Sequence, residues 1–216
     1  MRAVATGVLN MGLRGLTLVS KFLLLLGLAR YLAPEELGVY GVFVGTVGIA
    51  VYVLGFDIYV YNTREILAQE ERHRPAIIRD QAIFHLLAYA VTLPLLLGVF
   101  VGGFLAWRYA ALFYIVLIFE HLSQEAYRLL LVLSRPIAAN MLLFVRAGAW
   151  VLPVLLAVFW ASDLRRIEVV LAAWAVGAAA SVGLATVLLS RLEWRTVRET
   201  PIAWHAMQRA ALGSVP

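Results

Sequence analysis

The run VLNMGLRGLTLVSKFLLLLGLARYL, residues 8–32, decides what kind of molecule this is. It is long and apolar enough to cross a bilayer, for which about 20 such residues suffice. Yet it carries Arg14 and Lys21 within that length. Asn10, Arg14, Thr17 and Lys21 follow one another at spacings of 4, 3 and 4, which puts all four on one narrow helical stripe. Arg14 and Lys21 then stand about 10.5 Å apart along the axis. A cation facing hydrocarbon costs about 2.5–3.5 kcal/mol on insertion scales. The stripe must therefore face protein or water, and the rest of the chain must supply the helices that shield it.

Composition gives the same class. The chain has 216 residues, 63% hydrophobic and only 14% charged, with a mean hydropathy of +0.88. Soluble domains carry about 25% charged residues. The absence of cysteine removes disulfides, thiolate chemistry and cysteine-based metal sites. A net charge of +5 in a soluble protein would suggest nucleic acid. Here the basic residues gather in short connections, so no nucleic-acid partner is expected and a membrane topology signal is. A cleaved leader is not expected, because Lys21 interrupts the apolar region and further spans follow.

Outward from residues 8–32 the chain divides into six apolar runs, predicting an all-α, six-span bundle over residues 1–190. The spans are read at 8–32, 37–61, 76–103, 107–133, 137–161 and 168–190. Pro34, with Glu35 and Glu36 behind it, opens the second helix. In that span Gly41-x3-Gly45 reads as a small-residue packing face, and Asp57 lies near its far end. Residues 62–80 form a polar segment. Kinks are expected at Pro94 and Pro153, and Ser134-Arg135-Pro136 closes the fourth span. Residues 191–216 read as a cytoplasmic linker, with a short interfacial helix at about 202–212. Placing the N-terminus in the cytoplasm puts ten arginines on that side: Arg2, Arg64, Arg72, Arg74, Arg79, Arg135, Arg191, Arg195, Arg198 and Arg209. Four face the other side: Arg30, Arg108, Arg165 and Arg166. Both termini are therefore expected inside.

The fourth span carries a second polar stripe of Glu120, His121, Gln124, Glu125 and Arg128, within a 140° arc at 100° per residue. With Arg14, Lys21 and Arg146 these residues admit two readings. One is a water-filled cavity with cationic walls that receives an anionic headgroup, arginine supplying paired hydrogen bonds and lysine a point charge. The other is internal ion pairing, since the embedded charges are four positive (Arg14, Lys21, Arg128, Arg146) against three negative (Asp57, Glu120, Glu125). His85 and His121 read either as proton relays or as hydrogen-bonded packing residues. Spacing shows no metal cluster, Gly-rich phosphate loop or nucleophile–base pair. Neither an enzyme nor a cofactor is expected. Tyr31, Tyr61, Trp107, Tyr109 and Trp160 fit interfacial aromatic belts.

Three stretches also carry a resemblance. ARYLAPEELGVYG (29–41) resembles the first outer loop of polysaccharide-exporting lipid flippases, and LGFDIYVYNTREI (54–66) the end of their second helix. Glu120-x3-Gln124-Glu125-x2-Arg128, then Ser134-Arg135-Pro136-x3-Asn140, is similar to their fourth helix and the loop after it. These flippases belong to the multidrug, oligosaccharidyl-lipid and polysaccharide exporter superfamily. The resemblance implies two six-helix lobes facing one cavity with alternating access. It implies translocation of undecaprenyl-pyrophosphate-linked oligosaccharide across the bacterial inner membrane. Membrane lipid and the polysaccharide polymerase machinery would be further partners. This chain would be the N-terminal lobe, its second lobe lying elsewhere or coming from another copy. Arg14, Lys21 and Arg146 would bind substrate, with Asn10, Asp57, Glu120, Gln124, Glu125 and Arg128 as the cavity's polar stripe or its ion pairs. The rival readings are a multidrug exporter half, expected to have a more apolar or acidic cavity, and a non-transporting membrane scaffold.

Overall fold

The computed structural model describes residues 2–55, 58–198 and 200–204. They are helical, with no strand among them. The helices are α1 (Arg2–Tyr31), α2 (Pro34–Gly55), α3 (Ile58–Ala68), α4 (Arg74–Leu95), α5 (Gly98–Val101), α6 (Ala110–Val132), α7 (Pro136–Phe144), α8 (Val151–Trp160) and α9 (Ile167–Leu189). Five stretches are helical, long and apolar enough to cross a membrane: Thr6–Tyr31, Pro34–Gly55, Glu71–Val101, Pro136–Trp160 and Ile167–Leu189. The chain is thus a multi-pass helical membrane protein. The sixth expected span, α6, is 23 residues long but is too polar to join those five. Its polarity is absorbed inside the protein, because α6 packs against α2, α3, α7 and α9. Around it Phe43 and Phe100 each meet the Phe113 ring edge-on at 5.4 Å.

Local chemistry fixes the helix ends. Glu36, in the first turn of α2, accepts a hydrogen bond from Ala33 N at 3.3 Å and from Ile167 N at 3.0 Å. One carboxylate thus satisfies orphan donors at the starts of both α2 and α9. α6 ends with Ser134 at φ 57. Arg135 N bonds Leu130 O at 2.9 Å and Ser134 N bonds Leu131 O at 3.0 Å, the paired pattern of a Schellman terminus. Pro136 then opens α7.

The second span covers α2 and the start of α3, and residues 56–57 between them lie outside the described residues. Pro94 interrupts its helix, as expected: Leu97 N reaches back only to Pro94 O at 3.1 Å, and α5 follows as a short turn. Ahead of Pro153 the helix carries a π-helical segment at Val145–Ala149. A proline ring clashes with the carbonyl four residues earlier, here that of Ala149, so the backbone widens before it. One expectation needs correcting: a Cβ built at Gly41 or Gly45 meets nothing within 4 Å, so those glycines are not a packing face here. Close approach occurs instead at Gly177, where a Cβ would collide with the Trp150 ring, and at Gly27, where it would meet the tip of Leu155.

Beyond α9 the chain folds back onto α4. Arg79 donates to Val197 O at 2.6 Å, Thr200 O at 2.8 Å and Pro201 O at 3.2 Å, while Asp80 accepts from Ala203 N at 3.0 Å. The Arg79–Asp80 ion pair at 2.6 Å locks the two side chains together. Most of the helix expected at 202–212 lies outside the described residues.

Candidate functional site

The polar residues of α6 do not form one wall. Glu120 and Gln124 face the π segment and α9. His121 and Glu125 face α4, with Arg128 beside them. The single stripe inferred from the sequence is two sites on two sides of one helix.

The first site is a cavity of about 460 Å³ between α1, α2, α6, α9 and the π segment, within the usual range for small-ligand sites. Lys21, Glu120, Gln124 and Arg146 supply its charged and amide lining, and Tyr40, Trp150 and Trp174 its aromatic lining. Arg146, 9% exposed, donates through Nη1 to Gln124 Oε1 at 2.6 Å. Its Nε lies 3.5 Å from Glu120 Oε2 and has no hydrogen-bond acceptor. Trp174 Nε1 donates to the other oxygen of Glu120. Trp150 Nε1 donates to Arg146 O at 2.9 Å, so an indole is tied to the backbone of the π segment. Lys21 makes no hydrogen bond or ion pair among the described residues. The cavity therefore holds two cations against one carboxylate.

Arg14 belongs to a different cluster. Its guanidinium donates to Asn140 Oδ1 at 3.1 Å and Tyr127 Oη at 3.2 Å, and Asn140 donates to Asn10 Oδ1 at 2.9 Å. These partners are all neutral, and Arg14 has no carboxylate partner among the described residues. Arg14 is not among the residues that line the Lys21–Arg146 cavity.

The third group joins α4 to α6. Arg128 donates to Glu125 Oε1 at 2.7 Å and Gln81 Nε2 to Glu125 Oε2 at 2.6 Å. The Arg128 guanidinium also lies over the Tyr59 ring at 4.2 Å. His85 and His121 meet edge to face at 4.6 Å, and Tyr89 Oη is 2.7 Å from His121 Nδ1. His85, His121 and Glu125 form a group of metal-ligand type, which spacing along the chain did not reveal. Asp57 lies outside the described residues.

Trp150, Trp174, Tyr40, Tyr127 and Gln81 were not singled out from the sequence. For the two tryptophans a signal existed: both sit in mid-span, away from the interfaces where indoles usually gather. No family model, curated protein or solved structure matches the chain.

Proposed function

We propose that the chain is one lobe of a transporter that moves an anionic, lipid-linked oligosaccharide across the bacterial inner membrane. In this reading α6 is the sixth span, both termini are cytoplasmic, and a second lobe faces the Lys21–Arg146 cavity. The observation that carries the reading is the charge imbalance there. Glu120 engages Arg146 at 3.5 Å, leaving Lys21 on the wall with no acidic partner among the described residues. A lysine in this position is costly unless water or an anion reaches it. A pyrophosphate headgroup supplies that anion, and the aromatic lining gives flat apolar surface beside it. A multidrug exporter half fits less well, because the cavity's excess charge is positive.

A non-transporting scaffold is the second reading. It draws on the Arg146–Glu120 and Arg128–Glu125 pairs, which suffice to specify helix pairing. The two are separated by expressing Lys21→Gln, Glu120→Gln and the double mutant in cells, reading protein level and surface polysaccharide independently. Transport predicts normal protein and lost export for Lys21→Gln, not rescued by the second change. Normal export from Lys21→Gln, with protein lost only in the variants that carry Glu120→Gln, would favour the scaffold and remove Lys21 from the substrate site.

A further inference from the structure

We propose that His85, His121 and Glu125 form a binding site for a divalent transition-metal ion of the zinc class, bridging α4 and α6. The ligand atoms these residues offer, an imidazole nitrogen from each histidine and a carboxylate oxygen, all lie within 4.8 Å of one another. His121 and Glu125 are one helical turn apart, so they project from the same side of α6, and His85 meets them from α4. All three are buried, at 4%, 0% and 8% exposure. Both Nε2 atoms are buried without any hydrogen-bond partner. Two orphaned imidazole nitrogens in one cluster with a carboxylate are unusual in a packed interior, where buried polar groups find partners. A single ion accounts for both.

The surroundings are those a metal site requires. A ligating histidine donates its other ring N–H to an oxygen, and Tyr89 Oη lies 2.7 Å from His121 Nδ1. Ligating carboxylates are themselves hydrogen-bonded, and Gln81 and Arg128 each hold one oxygen of Glu125. Each of those oxygens keeps a lone pair. Two imidazoles and a carboxylate, with water in a fourth position, is a ligand set that zinc uses. Metal–ligand bonds of about 2.0–2.1 Å place tetrahedral ligands roughly 3.4 Å apart, so the side chains need close by at most about 1.4 Å around the ion. The opposing charge is Arg128, which Glu125 offsets and the Tyr59 ring face partly accommodates.

The experiment uses the full chain, purified in mild detergent with its affinity tag removed and titrated with Co²⁺ and then Zn²⁺. The expected result is one cobalt per chain with an intense tetrahedral visible spectrum, displaced by zinc. X-ray absorption on the wild-type protein should show two imidazoles in the first coordination sphere, a readout that needs no variant. His85→Gln and His121→Gln should each weaken binding at least tenfold. The proposal is overturned if the wild-type chain retains neither ion after desalting. It is equally overturned if the absorption spectrum lacks the imidazole pair, or if both histidine variants bind as the wild type does.

Discussion

Arg146 and Lys21 line the same cavity but answer differently to removal. Arg146→Met strips Gln124 and Glu120 of their cation, leaving a half-buried carboxylate held, among the described residues, only by Trp174. Breaking a fully buried pair costs about 3–5 kcal/mol in soluble proteins, which is the upper bound here. Thermal unfolding in detergent should therefore show a large loss for Arg146→Met, mostly recovered by adding Glu120→Gln. Arg14→Met removes bonds to two neutral groups on an exposed side chain, so its cost should be about 1 kcal/mol. Equal losses for the two variants would mean that Glu120 is not what Arg146 supports.

At the scale of the helix, termini and close approaches carry the specificity. Ser134 sits at φ 57, a conformation that costs an L-residue about 1–2 kcal/mol and glycine almost nothing. After the extra entropy of an unfolded glycine is subtracted, Ser134→Gly should stabilise by up to about 1 kcal/mol, visible as a raised melting temperature. Gly177→Ala should do the reverse. Its new methyl displaces the Trp150 ring, and with it the indole bond to Arg146 O, at a cost of about 1–3 kcal/mol. Gly27→Ala meets only the mobile end of Leu155 and should cost less. A smaller loss at Gly177 than at Gly27 would argue that Trp150 is not fixed by its bond to the π segment. The contrast also marks how far the sequence was legible. Apolar runs and prolines located the five apolar spans and the α6–α7 turn, because length and missing donors are local properties. The π segment, the separate α5 turn and the meeting of His85 with His121 were not legible. They depend on backbone strain and on packing between helices distant in the chain. Periodicity likewise placed Glu120 to Arg128 on one arc but could not say that two neighbours would share it.

For the whole molecule, topology is the decisive measurement. Five apolar spans alone would leave the termini on opposite sides, whereas a spanning α6 returns the chain to the side on which it began. Reporter fusions after Pro34, Arg108 and Asp163 should read outside, and those near Arg74, Arg135 and Arg198 inside. An outside signal at Arg198 would show that α6 does not cross. The open side of α1, where Met11 and Leu18 are 77% and 68% exposed beside Arg14 and Lys21, presents charge as well as apolar surface. Lipid covers the latter and not the former. The chain alone should therefore dimerise or lose stability in mild detergent, and a stable monomer competent for transport would contradict the two-lobe reading.

The grip of Arg79 and Asp80 on the segment after α9 is made through main-chain atoms, the carbonyls of Val197, Thr200 and Pro201 and the N–H of Ala203. A clasp of that kind recognises the path of the main chain rather than the identity of any one side chain along it. The constraint falls on whatever alters that path. A proline at residue 203 would lack the donor that Asp80 accepts, removing that contact where other replacements keep it.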